Sequence, residues 1–318
     1  MDAVIPLSPA AASATRHAPR TAEPVPALLD DPYGAFARNV ERASFLFDHG
    51  LGHHPLFRIP QLIELARRQP QLPGYNYWSA NVRSVGDKWS EGDGDAADAL
   101  RAVENNNAMV QFCHVEHDPV IGPLIRELMQ AIVERSGARM ATDVRETAAT
   151  LLIASPRRLT HYHIDAASGF LIQIAGSGKV LSVHDRDDRR AITEEELERF
   201  YAGDYNGTAF HEDHAQAASH HHVDAGHGVH IPAVAPHWAR NGDDVSIALS
   251  LSYHLHSAER RAKIYQANHR LRRWGLKPVP PGVSAWRDSA KLAAKSALAG
   301  VRTLTGRTTA KPSGNAMT

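Results

Sequence analysis

Two neighbouring segments decide how this chain is read: Thr160-His161-Tyr162-His163-Ile164-Asp165, and then Phe170-Leu171-Ile172-Gln173-Ile174-Ala175-Gly176-Ser177-Gly178-Lys179. Both are rich in β-branched and apolar residues and are bounded by small turn formers, which is the pattern of short strands. Side chains alternate along a strand, so His163 and Asp165 emerge on one face, where both can touch one ion. That is half a metal site. The third ligand expected is His237, in Ile231-Pro232-Ala233-Val234-Ala235-Pro236-His237-Trp238. Two histidines and one carboxylate on a single face leave the opposite coordination positions open, the arrangement of a non-haem Fe(II) oxygenase. His161 opens a second reading, because His161 and His163 form an HxH pair of the kind found in three-histidine, one-glutamate cupin sites. Such a site wants a glutamate shortly downstream, and Ala166-Ala167-Ser168-Gly169 has none.

Outward from this stretch, strands are expected at Ala148 to Ala154, Thr160 to Asp165, Phe170 to Ala175, Lys179 to His184, Gly228 to Pro232 and Val245 to His256. Short strands with glycine-rich turns give a sandwich, jelly roll or barrel. Thr193 with Glu196 forms a capping box that starts an inserted helix over Thr193 to Tyr201. Upstream, from Val25 to about Gly137, the pattern is largely helical: Tyr33 to Leu46, the run from Ile59 to Ala66, and Pro119 to Val133, where Ile121, Leu124, Ile125, Leu128, Ile132 and Val133 recur at helical spacing. Downstream, helices are expected over Ala258 to Trp274 and Asp288 to Leu304, parted by Pro278-Val279-Pro280-Pro281-Gly282. The expected organisation is a flexible leader over 1–24, a mainly helical region over 25–146, a β core over 147–256, C-terminal helices over 257–304 and a disordered tail over 305–318.

Lys179 opens a strand on the same face as Leu181 and Val183 and so points inward. A buried lysine needs an anion, and no acid alternates with it along that strand. A dicarboxylate co-substrate that chelates the metal at one end would supply the partner, with Thr160 donating its hydroxyl to the same carboxylate. In Val245 to His256, Val245, Ile247, Leu249, Leu251, Tyr253 and Leu255 share one face and Ser246, Ala248, Ser250 and Ser252 the other. A small face turned into a barrel leaves room for a ligand.

Taken together, Thr160-x-x-His163-x-Asp165, Gln173-Ile174, Gly176 to Lys179, Gly226, Ile231-Pro232 and His237-x-x-x-Asn241 resemble the jumonji-C and cupin-like 2-oxoglutarate oxygenases over roughly residues 147 to 256. The resemblance implies a double-stranded β-helix, a mainly β jelly-roll core with helical additions at both ends. It also implies Fe(II) on His163, Asp165 and His237, 2-oxoglutarate held by Thr160 and Lys179, and hydroxylation of a C–H bond in a protein side chain or small molecule with release of succinate and CO2. The chain departs from the pattern at Gly169, where some relatives carry asparagine, in one extra residue before Lys179, and at Pro236, where an aromatic is common. The competing function is a metal-binding cupin-like regulator or sensor without turnover.

Composition narrows the remaining choices. With 318 residues, 43% hydrophobic and 22% charged, the chain is an ordinary globular one, with no apolar run long enough for a transmembrane segment. Its single cysteine, Cys113, excludes an internal disulfide and any cysteine-cluster metal site, and the expected location is cytoplasmic. Net charge is zero, yet from Glu259 onward thirteen Lys or Arg face two acids. A homodimer through the C-terminal helices is expected, with nucleic-acid or anionic-surface binding as the lesser alternative. Of the seven histidines from His211 to His230, His220 to His222 are expected in a solvated loop without a specific role, and His227 and His230 flank a strand near the site.

Overall fold

The chain winds back and forth between two antiparallel sheets. In chain-order numbering, the first sheet runs β1 (Leu29–Asp30), β2 (Phe45–His49), β10 (His227–Ile231), β7 (Ser168–Ala175), β12 (Ser246–Leu255), β5 (Val144–Ala154), β4 (Met109–Cys113) and β3 (Asn76–Ser79). The second runs β6 (Leu159–His163), β11 (His237–Arg240), β8 (Lys179–Val183) and β9 (Ser219–Val223). From β5 onward the strands cross repeatedly from one sheet to the other, which is the winding of a double-stranded β-helix, or jelly roll. The computed structural model describes residues 28–70, 75–92 and 95–304, with side chains of the last helix described to residue 295. The leader and tail expected at 1–24 and 305–318 lie outside the described residues.

The two faces of β12 decide what lies inside the barrel. Ile247, Leu249, Leu251 and Tyr253 are buried against the outer helical layer, with Ile125, Leu128 and Ile132 of α4 (Gly122–Ser136) in the same cluster. The Tyr253 hydroxyl donates to the Met129 carbonyl at 3.0 Å. Each such apolar side chain contributes roughly 1.5–3 kcal/mol on full burial. The opposite face, with Ser246, Ala248 and Ser250, looks between the sheets, where Ala248 meets Leu171, Leu181 and Ala239. Small residues therefore line the interior, as the alternation predicts.

The N-terminal region carries α1 (Ala35–Asn39), α2 (Ile59–Arg68), α3 (Ala96–Arg101), α4 and α5 (Ala138–Asp143), yet it also lends four strands to the large sheet. The helix expected over Tyr33 to Leu46 stops at Asn39, and Phe45–His49 forms β2, in which Phe45, Phe47 and His49 are buried while Leu46 and Asp48 are exposed. That period of two was hidden because only five residues carry it. His220 to His222 are likewise strand rather than loop: β9 pairs with β8, the His220 Nδ1 meets the Ser182 hydroxyl at 2.8 Å, and His221 Nε2 meets Ser44 at 2.9 Å.

The inserted helix α6 (Glu194–Tyr201) starts with the expected capping box between Thr193 and Glu196. Its Leu197 and Phe200 pack with Ile164, Val234 and with Tyr265 of α7 (His256–Arg273). Tyr265 of α7 is therefore covered by the insertion of the same chain, and Ala258 packs on the cluster that holds the N-terminal helices. Arg272 adds a fork of hydrogen bonds to the buried Glu198, at 2.7 and 2.9 Å. The final helix, α8 (Ala285–Leu304), packs on α7. No described helix is long and apolar enough to cross a membrane.

Candidate metal centre and co-substrate pocket

Strands β6 and β11 bring the three expected ligands together. His163 pairs directly with His237, but the next register point is Thr160 with Ala239, three steps along β6 against two along β11. β6 thus bulges by one residue. The bulge places Thr160 and His163 on the same cavity wall, which strict alternation over three residues forbids. Asp165 follows two residues beyond His163, past the strand end.

His163, Asp165 and His237 form the one cluster of three or more potential ligands among the described residues, their ligating atoms all within 4.8 Å of one another. Asp165 Oδ2 lies 3.6 Å from His237 Nε2, and Oδ1 lies 3.9 Å from His163 Nε2. Each histidine meets a backbone carbonyl through Nδ1: His163 that of His161 at 2.8 Å, and His237 that of Ala235 at 2.9 Å. A carbonyl only accepts, so Nδ1 carries a proton and Nε2 is the nitrogen turned towards the carboxylate. Burial, with His163 beside it, pushes His237 down to about 3 and keeps its ring neutral. Burial likewise raises the Asp165 carboxyl above the usual range, and its Oδ1 has no hydrogen-bond partner. A buried carboxylate oxygen left unsatisfied beside two imidazoles is a cost the chain does not relieve by itself. This donor set fits a divalent first-row metal.

His161 is buried with its ring centroid 4.9 Å from that of His163, and burial pushes it down to about 2, but it joins neither the cluster nor the cavity wall. The HxH reading is therefore set aside. His230 is fully buried as a strut, meeting the Gly169 carbonyl at 3.0 Å and accepting from the Glu41 N–H at 3.1 Å. The loop before His237 is strained: Val234 has φ +58°, rare for a β-branched residue. It is held by its N–H, which donates to the Asp165 carbonyl at 2.8 Å, and by its side chain in the cluster with Leu197 and Phe200. The insertion therefore braces the segment joining two of the three ligands.

Lys179 lines the same cavity, 6% exposed, with Leu181 beside it. No acid pairs with it among the described residues, and burial lowers it to about 7. The turn leading into it needs Gly176 and Gly178 at positive φ, and at Gly242 a Cβ would lie 2.0 Å from the Ser177 carbonyl. This close approach locks the β7–β8 turn onto the β11–β12 turn and so fixes where β8 begins. Thr160, half-buried, lines the cavity with Asn241, whose amide donates to the Ser155 carbonyl at 3.0 Å. Gln111 and Met109 of β4 also reach the cavity. They were missed because β4 lies in the region read as helical; the one polar residue in Met109-Val110-Gln111-Phe112-Cys113 was the available signal. Arg158 was missed as well. It is fully buried and donates to Val82 and Leu159 carbonyls at 2.6 and 2.8 Å, which pins the start of β6.

No protein-family model matches the chain, and no curated protein matches it. Among solved structures, Escherichia coli YcfD aligns over 87% of this chain and 69% of its own, at 13% identity and a TM-score of 0.51. The two chains share a fold. A further structure of YcfD, a ribosomal oxygenase, aligns over 87% and 68% at 14% identity with a TM-score of 0.45. Its complex with cobalt and 2-oxoglutarate aligns over the same shares at 12% identity and 0.46.

Proposed function

We propose that this chain is an Fe(II)- and 2-oxoglutarate-dependent oxygenase of the jumonji-C and cupin-like type, with residues 147–256 as its catalytic core. It hydroxylates a C–H bond of a protein side chain or small molecule and releases succinate and CO2. One observation carries the reading: a single cavity holds both a His163, Asp165, His237 donor set and an unpaired, buried Lys179. In this reading His163, Asp165 and His237 hold Fe(II), which when bound supplies the oxidising chemistry. Lys179 and Thr160 hold the far carboxylate of 2-oxoglutarate and set how its other end meets the metal. The interior face of β12 provides space, and the buried walls exclude water. The reducing cytoplasm suits both Fe(II) and the lone thiol of Cys113.

A metal-binding sensor without turnover needs the triad but gains nothing from burying an unpaired ammonium, which costs stability until an anion arrives. The test is anaerobic reconstitution with Fe(II) and 2-oxoglutarate, followed by admission of oxygen and measurement of succinate. The substrate panel spans metabolites and peptides, ribosomal proteins among them because YcfD is a ribosomal oxygenase. Succinate that depends on Fe(II), 2-oxoglutarate and one panel member is expected. Tight Fe(II) binding with no succinate under any condition would establish the sensor instead.

A further inference from the structure

The tip of the α7–α8 hairpin inverts the usual order of a protein surface. Trp274 (75% exposed), Leu276 (54%), Val283 (69%) and Trp286 (71%) all fall within thirteen residues there. The turn is well tied: the Val279 carbonyl accepts from Asn268 of α7 at 3.1 Å and from Lys291 of α8 at 2.7 Å. On α8 the lysines point inward, Lys291 to that carbonyl and Lys295 to Gln266 of α7, while Trp286, Ala290, Ala293 and Ala294 face out. Arg287 lies over the Trp286 ring, 5.3 Å from its centroid.

Charge says what covers this face. Arg270, Arg273, Lys277 and Arg287 are exposed, and the only acid from 270 to 295, Asp288, is buried and accepts from the Gly282 N–H. A second copy meeting this face in an isologous contact would set four cations against the same four. A nucleic acid would satisfy the cations but leave Leu276, Val283 and the alanines without apolar cover. An anionic bilayer satisfies both: tryptophan sits at headgroup depth, aliphatic side chains reach the acyl boundary, and Arg and Lys meet lipid phosphates. We propose that this tip docks the protein peripherally on membranes containing anionic phospholipid. The inference rests on the hairpin alone and does not depend on the catalytic reading.

The test uses the full chain with vesicles of phosphatidylcholine, with and without phosphatidylglycerol. Cosedimentation and quenching of tryptophan fluorescence by brominated lipid are both read. Binding to the anionic vesicles alone is expected, weakened by salt and lowered about fivefold for each of Arg273→Gln and Lys277→Gln. Trp274→Ser with Trp286→Ser should cut binding at least tenfold and remove the quenching, with an unchanged thermal midpoint showing that the fold survives. No binding to anionic vesicles overturns the proposal, as does binding that the double tryptophan variant leaves intact. A solution dimer that the same variant dissociates, or retention of RNA in place of lipid, overturns it equally.

Discussion

Inside the barrel, charge is buried without a partner; at the α7–α8 tip, apolar surface is exposed without cover. Lys179 and the Asp165 carboxylate belong to the first case, and Trp274 and Trp286 to the second. Each is a cost that the folded chain does not relieve on its own. The barrel holds its unpaired groups in one enclosed cavity, so what satisfies them must be small, charged and of defined shape. The tip spreads its groups over an open surface and sets no shape, so what satisfies it need only be apolar beneath and anionic above. Local violation of burial rules marks function in both places, and the geometry around it separates a pocket from a platform.

The sharpest way to break this comparison is at the triad. His237→Ala and Asp165→Ala should lower Fe(II) affinity by more than the roughly 100-fold that outer-shell partners typically cost, and should abolish succinate formation. Isothermal titration under anaerobic conditions checks the first, and a metal-free thermal melt adds a second expectation. Asp165→Ala should melt no lower than the parent, because it removes an unsatisfied buried carboxylate.

Next comes the other end of the cavity. Lys179→Met should weaken 2-oxoglutarate binding on the order of 100-fold while leaving Fe(II) affinity within a few-fold. Burial lowers Lys179 from 10.5 to about 7, so between those pH values the unfolded chain holds a proton that the folded one has lost. Stability of the ligand-free protein should therefore rise with pH from 7 towards 10.5, by up to about 1.4 kcal/mol per unit from this group. Denaturant unfolding at pH 7, 8 and 9 should show Lys179→Met more stable than the parent, with the gap closing as pH rises. A gap independent of pH would mean that the ammonium is paired in solution.

Smaller effects sharpen the picture. Thr160→Val removes one hydroxyl donor and should weaken 2-oxoglutarate by about five- to tenfold, near 1 kcal/mol, measured by the same titration. Smallest of all, Trp286→Ser should change folding stability by no more than about 0.5 kcal/mol, because an exposed ring has little burial to lose. A large destabilisation there would show that the tip is covered within the free protein, and the contrast with the barrel would fail.

Much of the site was legible because it is local. His163 and Asp165 stand two apart at the end of a strand, and the Gly176 to Gly178 turn places Lys179 at the start of another. The inserted helix was legible for the same reason, since a capping box spans four residues. β2, β4 and β9 were not, because β2 and β4 lie among helical patterns and β9 in a run of histidines, and only remote pairing makes them strands; β9 pairs with β8 across the whole insertion. Short strands of this kind carry too few turns of any period to be told from a helix end or a loop.

The sequence by itself determined the residue types of the donor set, the inward lysine and the two-faced β12, since alternation along a strand needs no knowledge of the partner. Only the tertiary structure decided that Thr160 and His163 share a wall, because that depends on a bulge created by the register with β11. It also decided which way α8 turns. Its lysines find a carbonyl and an amide on neighbouring segments and fold inward, leaving the tryptophan outside. Local pattern sets what each face of an element can offer, whereas partners distant in the chain set which face is used.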